Sequence, residues 1–204
     1  MRRLADPLLT VSLSHDLVRV KLLFIGTILP AVLVVDLVTK SWALRALAFE
    51  RGELFGGLLP LTLAFNKGAA FGISVGDDSR WLFVPITFVA LGLLAVLFKQ
   101  AEQRDYLRIV AISLVVSGAI GNLYDRIRWD RGVVDFLGPI DLGFWYFPIF
   151  NVADIAISCG AIMLAISFWL EERQEAARER LAQAEGEIRP DGLSGEAPSG
   201  PGLP

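Results

Sequence analysis

The stretch WYFPIFNVADIAISCGAIMLAISFWL (Trp145–Leu170) carries a single charged side chain, Asp154, in an otherwise apolar or weakly polar run. From about Asn151 to Leu170 the run approaches the roughly 20 residues a helix needs to cross the hydrocarbon of a bilayer. No water is available at that depth, so the backbone must satisfy its own hydrogen bonds and the segment must be a helix. A carboxylate there costs about 2.5 kcal/mol or more on insertion, which marks a residue retained for a purpose.

Three further segments read the same way. The first runs from Leu22 to about Trp42 and is interrupted by Asp36 and Lys40. The second, Trp81–Phe98, has no charge, and the third, Ile109–Tyr124, is bounded by Arg108 and Asp125. With 54% hydrophobic residues in 204 and a mean hydropathy of +0.54, the composition is that of a membrane protein. A net charge of -3 argues against a nucleic-acid partner. One cysteine, Cys159, and one histidine, His15, exclude an internal disulfide and a thiolate metal cluster. No acidic loop has the spacing of an oxygen-ligated metal site, so no metal is expected.

The expected fold is an all-α integral membrane protein of four transmembrane helices, with a small extracytoplasmic β-rich segment and a short outer helix or loop. Residues 1–20 form a cytoplasmic leader, 21–170 the membrane domain and 171–204 a cytoplasmic tail. Arg2, Arg3, Arg19 and Lys21 in the leader, Lys99, Arg104 and Arg108 between the second and third helices, and Arg173, Arg178 and Arg180 in the tail share one face. The excess of positive charge assigns that face to the cytoplasm. The outer connections are then about 45–80 and 126–149, with Trp42, Trp81, Trp129, Trp145 and Tyr146 as an aromatic belt. Ala46–Ala48 mimics a signal-peptide cleavage site, but Asp36 and Lys40 break the apolar run, which reads as a retained helix. In Glu53–Ile73, short apolar runs punctuated by Gly and Pro suggest strands and turns. The tail continues as a helix from Glu171, and from Pro190 its Gly, Pro and Ser residues predict disorder.

Polar residues gather at the outer ends of the helices. Asp36 and Lys40 are four residues apart and share a helix face. GNLYDR supplies Asn122, Asp125 and Arg126; GVVDF supplies Asp135; FNVAD supplies Asn151 and Asp154; and FNKGAAFG adds Asn66. Several of these have simple structural uses. Asp36 with Lys40, and Asp125 with Arg126, read as ion pairs, Asn151 as a helix cap, Gly118 and Gly121 as helix packing, and Cys159 as a small buried hydrophobe. Ser117 and Lys40 have no spacing that makes them a catalytic pair. Asp135, inside a Val/Phe cluster, and Asp154 fit those uses less well. Two desolvated carboxylates sharing one site split their affinities for a proton, as an acid–base pair requires. Spacing leaves open whether Asp125 or Asp135 partners Asp154, and intramembrane ionisable residues also mark ion pathways or glue helices together.

The chain resembles the bacterial lipoprotein signal peptidases (signal peptidase II) from about Asp36 to Leu170. The resemblance rests on ordered blocks: DLVTK (Asp36–Lys40), NKGAAFG (Asn66–Gly72), GAIGNLYDR (Gly118–Arg126), GVVDF (Gly132–Phe136) and FNVADIAI (Phe150–Ile157). It implies an aspartic endopeptidase of the plasma (inner) membrane with Asp135 and Asp154 as the catalytic pair and no cofactor. The implied substrates are diacylglyceryl-modified prolipoproteins, cut just before the lipidated cysteine, with globomycin as an inhibitor. Asn66, Asn122, Arg126 and Asn151 match positions of substrate or inhibitor contact and site structure, and Asp36, Lys40 and Asp125 match supporting positions. Lys67 departs from the small polar residue more usual in the family.

Overall fold

The computed structural model describes residues 7–68, 80–102 and 105–188. Its helices are α1 (Pro7–Ala46), α2 (Arg80–Gln100), α3 (Tyr106–Arg128) and α4 (Val152–Ile188). All four are long and apolar enough to cross a membrane, α1 over Arg19–Ala46 and α4 over Val152–Ala184. Each apolar segment seen in the sequence is therefore a helix, and each helix extends past it. α1 begins well before Leu22, so the leader is helical from Pro7. Residues 1–6 and 69–79, including the end of the NKGAAFG block, lie outside the described residues.

α3 is the central helix, largely buried, while α1 and α2 present most of their spanning surface outward. It packs against α1 and α2. Its contact with α4 is closest at two glycines: a Cβ on Gly118 would run into the Ala153 carbonyl oxygen, and one on Gly160 of α4 would lie 2.7 Å from the Ala111 carbonyl oxygen. On the side facing α1, a Cβ on Gly121 would lie 2.7 Å from Asp36 Oδ2. Lipid gives no hydrophobic drive to helix association, so small residues that let backbones approach carry the packing instead. Cys159, expected to be buried, is exposed on α4. The bilayer, rather than protein, is what covers an apolar residue on that face.

At the end of the bundle where α1 and α3 finish and α4 starts lies a three-stranded antiparallel sheet. Its order is β1 (Gly52–Leu54), β2 (Leu59–Asn66), β3 (Val133–Leu137). In register, Ala64 faces Asp135 and Asn66 faces Val133, with an irregularity between Leu61 and Ala64. The β-rich character expected of Glu53–Ile73 is thus present in β1 and β2. The second outer connection holds no helix among the described residues. Besides β3 it carries the hairpin β4 (Ile140–Asp141) and β5 (Tyr146–Phe147). Alternation in Val133–Leu137 is weak because every residue but the last is buried, so only pairing with β2 reveals the strand. Ala43, Leu47, Leu61 and Phe136 form a small core fastening the sheet to the end of α1, with Trp42 packed edge-on to Phe136 at 6.3 Å.

The chain divides by contacts into Met1–Ser167 and Phe168–Pro204. The second unit is helical as far as Ile188, with Arg173 over the Trp169 ring at 4.2 Å. The segment expected to be disordered from Pro190 lies outside the described residues.

Candidate active site

Asn151 immediately precedes α4 and caps it. Its Oδ1 accepts the Asp154 backbone N–H at 2.9 Å, and Asp154 Oδ2 accepts the Asn151 backbone N–H at 3.2 Å. This reciprocal arrangement satisfies donors that a helix N-terminus leaves unpaired. The capping role read from the sequence is real, but it uses only half of the side chain. The other half, Nδ2, lies 2.6 Å from Asp135 Oδ1, 3.1 Å from Asn122 Oδ1 and 3.3 Å from the Val134 carbonyl. One buried amide therefore joins the strand carrying Asp135 to the helix carrying Asp154.

Asn122, on α3, completes the link. Its Nδ2 donates to Asp154 Oδ1 at 2.8 Å, and its Oδ1 accepts from Lys40 Nζ at 3.1 Å. Lys40 in turn is 2.8 Å from Asp36 Oδ2 and 3.0 Å from Asp125 Oδ2. All three ionic groups are buried, where a charge survives only if paired. Asp36 Oδ1 accepts the Ala153 backbone N–H at 2.9 Å and so anchors the first turn of α4 to α1. The intrahelical pair of Asp36 and Lys40 exists, as part of a larger network.

Asp125 does not pair with Arg126, the neighbour assigned to it above. Successive helical residues point apart, and Asp125 instead holds Lys40, the Val134 N–H and Trp129 Nε1, the last two at 3.3 Å. Asp135, not Asp125, is the carboxylate that Asn151 links to Asp154. Ser117 donates to the Ser113 carbonyl of its own helix, and Lys40 is engaged elsewhere.

Asp135 is only 2% exposed, between Val134 and Phe136, whereas Asp154 is half-buried. Burial first, and then the negative charge of Asp154, raise the Asp135 carboxyl from 3.8 to about 7, against hydrogen bonds from Asn151 and Asn66. Asn66 Oδ1 also accepts the Gly68 N–H at 2.8 Å, which holds the end of β2 beside the site. The Arg126 guanidinium lies over the Phe83 ring at 5.4 Å and donates to the Asn122 carbonyl at 3.4 Å. Its Nε is buried with no hydrogen-bond partner among the described residues. The contributions of Phe83, Val134 and the Ala153 N–H carried no signal in the sequence, being an ordinary aromatic residue and backbone groups.

Every residue singled out as catalytic or supporting thus falls at this end of the bundle. The family model described as signal peptidase (SPase) II matches residues 28–170, a span that contains all of them. The chain belongs to the signal peptidase II family. It is 43% identical over 147 residues to a lipoprotein signal peptidase of Hydrogenovibrio crunogenus, covering 71% of this chain and 84% of that protein. A lipoprotein signal peptidase of Maridesulfovibrio salexigens is 40% identical over 148 residues, covering 71% and 94%. A bacterial membrane enzyme solved by the in meso method at 2.3 Å matches with a TM-score of 0.65 and 32% identity, over 72% of this chain and 88% of that one. Another, at 1.9 Å, gives 0.61 and 34%, over 71% and 91%. The match to the signal peptidase II family leaves out the start of α1 and the second unit from Glu171 onward.

Proposed function

We propose that this member of the family is an aspartic endopeptidase that removes the signal peptide from diacylglyceryl-modified prolipoproteins, cutting before the lipidated cysteine. The observation that carries the reading is the Asn151 amide, which bridges a dry carboxyl, Asp135, to a half-exposed one, Asp154. Two acids in such different surroundings take different protonation states. Asp135 holds the proton and acts as the acid, and Asp154 acts as the base.

Asp154 takes a proton from water, whose oxygen attacks the scissile carbonyl carbon, while Asp135 gives its proton to the carbonyl oxygen. The tetrahedral diol collapses when Asp154 passes its acquired proton to the amine and Asp135 recovers one from a diol hydroxyl. Proton transfers of this kind contribute about 10²–10⁴-fold. Donors aimed at the developing oxygen charge supply more, and Arg126 with its uncommitted Nε is suited to that. A site where the spanning helices end lets acyl chains remain in hydrocarbon while the peptide bond meets water. The positive charges of the leader, the α2–α3 connection and the tail support an orientation with both termini in the cytoplasm of an inner membrane and the dyad toward the extracytoplasmic face. Globomycin would compete for the same site.

The test is cleavage of a diacylglyceryl-modified prolipoprotein in lipid, comparing the wild type with Asp135→Asn, Asp154→Asn and Asp125→Asn, each checked for folding. Loss of cleavage in the first two, folded, with partial retention in the third supports the dyad. A wild type that releases no signal peptide from the lipidated substrate overturns the function, and a folded Asp135→Asn with full activity overturns the mechanism.

A further inference from the structure

At the C-terminal end of α3, Arg128 and Arg131 stack on one indole. Their guanidinium carbons are 4.2 and 4.7 Å from the centre of the Trp129 ring, and Arg131 also lies 4.4 Å from that of Phe65 on β2. Arg128 is braced further by the Tyr124 ring at 5.5 Å. Trp129 is itself pinned, through Nε1, to the buried Asp125. Both arginines are exposed, and no ion pair joins either to a carboxylate among the described residues. Asp130, between them in sequence, has an interaction of its own.

Stacking on aromatic faces occupies the flat side of a guanidinium and leaves its N–H edge open, the edge that matches a phosphate in two-point contact. On Arg128 one of those donors, Nη1, is taken by the Tyr124 hydroxyl, and the others remain for a ligand. The position is also specific. α3 is a candidate span over Tyr106–Arg128, so Arg128 is its last residue, and the end of a spanning helix is where headgroups lie and Tyr and Trp concentrate. Ile127, on the same turn, is an apolar residue left 62% exposed. A simpler use, two cations complementing the helix C-terminus, accounts for Arg128. It does not account for Arg131, which lies beyond the helix and stacks on β2.

We infer that Arg128 and Arg131, held apart by Trp129, form a binding site for the phosphate of an anionic phospholipid in the leaflet at the sheet-bearing end of the bundle. A lipid held there would brace β2 against α3 beside the dyad. The inference does not depend on the peptidase reading, since its readout is lipid binding.

The full chain in detergent would be titrated with phosphatidylglycerol and with phosphatidylcholine, and the bound lipid counted by native mass spectrometry. Two basic residues near an anionic headgroup, each contributing about five- to sixfold, predict a preference of roughly thirtyfold for phosphatidylglycerol. Arg128→Gln with Arg131→Gln should lose it, whereas Arg45→Gln with Arg51→Gln, the same change of charge at the same end, should keep it. Arg128→Lys with Arg131→Lys, retaining charge without the planar stack, should recover only part. Equal binding of both lipids by the wild type, full recovery by lysine, or loss in the Arg45/Arg51 control overturns the site. Displacement of bound phosphatidylglycerol by millimolar inorganic phosphate would overturn the lipid as its ligand.

Discussion

Asn151 Nδ2 lies 2.6 Å from Asp135 Oδ1, the shortest link between the strand that carries one aspartate and the helix that carries the other. The same side chain caps α4 through Oδ1, so the local fold and the relative placement of the two acids depend on one residue. Separating those two roles gives the first prediction. Asn151→Ser keeps an oxygen that caps a helix about as well as Asn but removes the donor to Asp135. It should remain folded, with a melting temperature near that of the wild type, and lose about 10²-fold in kcat. Asn151→Ala loses the cap as well and should also be destabilised, by about 1 kcal/mol. A Ser variant of full activity would show that the bridge is not needed.

The Asp135 carboxyl, raised to about 7, sets the pH behaviour. If its proton is required, activity should fall as pH rises through about 7. Asn151 donates to the ionised form, so its loss raises the affinity for the proton further, and the alkaline limb of Asn151→Ser should move upward. Stability follows the same sign. A folded-state value above the unfolded one gives stability that is present below about pH 4 and lost progressively as pH approaches 7. Asp135→Asn should therefore be more stable than the wild type at pH 8 and lose that advantage at pH 4, a comparison that thermal melts at the two pH values would settle.

Lys40 neutralises two buried carboxylates, Asp36 and Asp125. Lys40→Met leaves both uncompensated and should cost about 3–5 kcal/mol. Adding Asp36→Asn should recover part of that loss, because the two changes act on one network and do not add. Thermal melts of the single and double variants in matched lipid would decide it, and additive losses would refute the coupling.

Gly118 lies against the Ala153 carbonyl, one residue before Asp154. Gly118→Ala must push the first turn of α4 away, and displacing a catalytic group by even about 1 Å costs on the order of 10²-fold. Gly92→Ala, where nothing lies within 4 Å of the added methyl, is the control and should leave cleavage unchanged. The relative rates of signal-peptide release measure both.

Much of the site was legible because hydrocarbon permits few charges. Asp154 in its apolar run, Asp135 among Val and Phe, and Asn122 at the end of the third helix stand out against their neighbours. What could not be read were the pairings. Asp125 has Arg126 beside it in sequence and yet pairs with Lys40, because adjacent helical residues point apart while α1 and α3 bring distant ones together. The second outer connection gave no strand signal, because β3 is buried on both faces and its alternation is hidden.

The chain by itself determines four spanning helices and the end of the bundle where polar residues collect, since a backbone in lipid must close its own hydrogen bonds and each segment does so locally. Only the tertiary structure decides which aspartate Asn151 links to Asp154 and which of the two is dry. Those depend on contacts such as Lys40 to Asn122, 82 residues apart, and Asp36 to the Ala153 N–H, 117 apart. Interactions of that range are set by how helices and sheet pack, and no local periodicity encodes them.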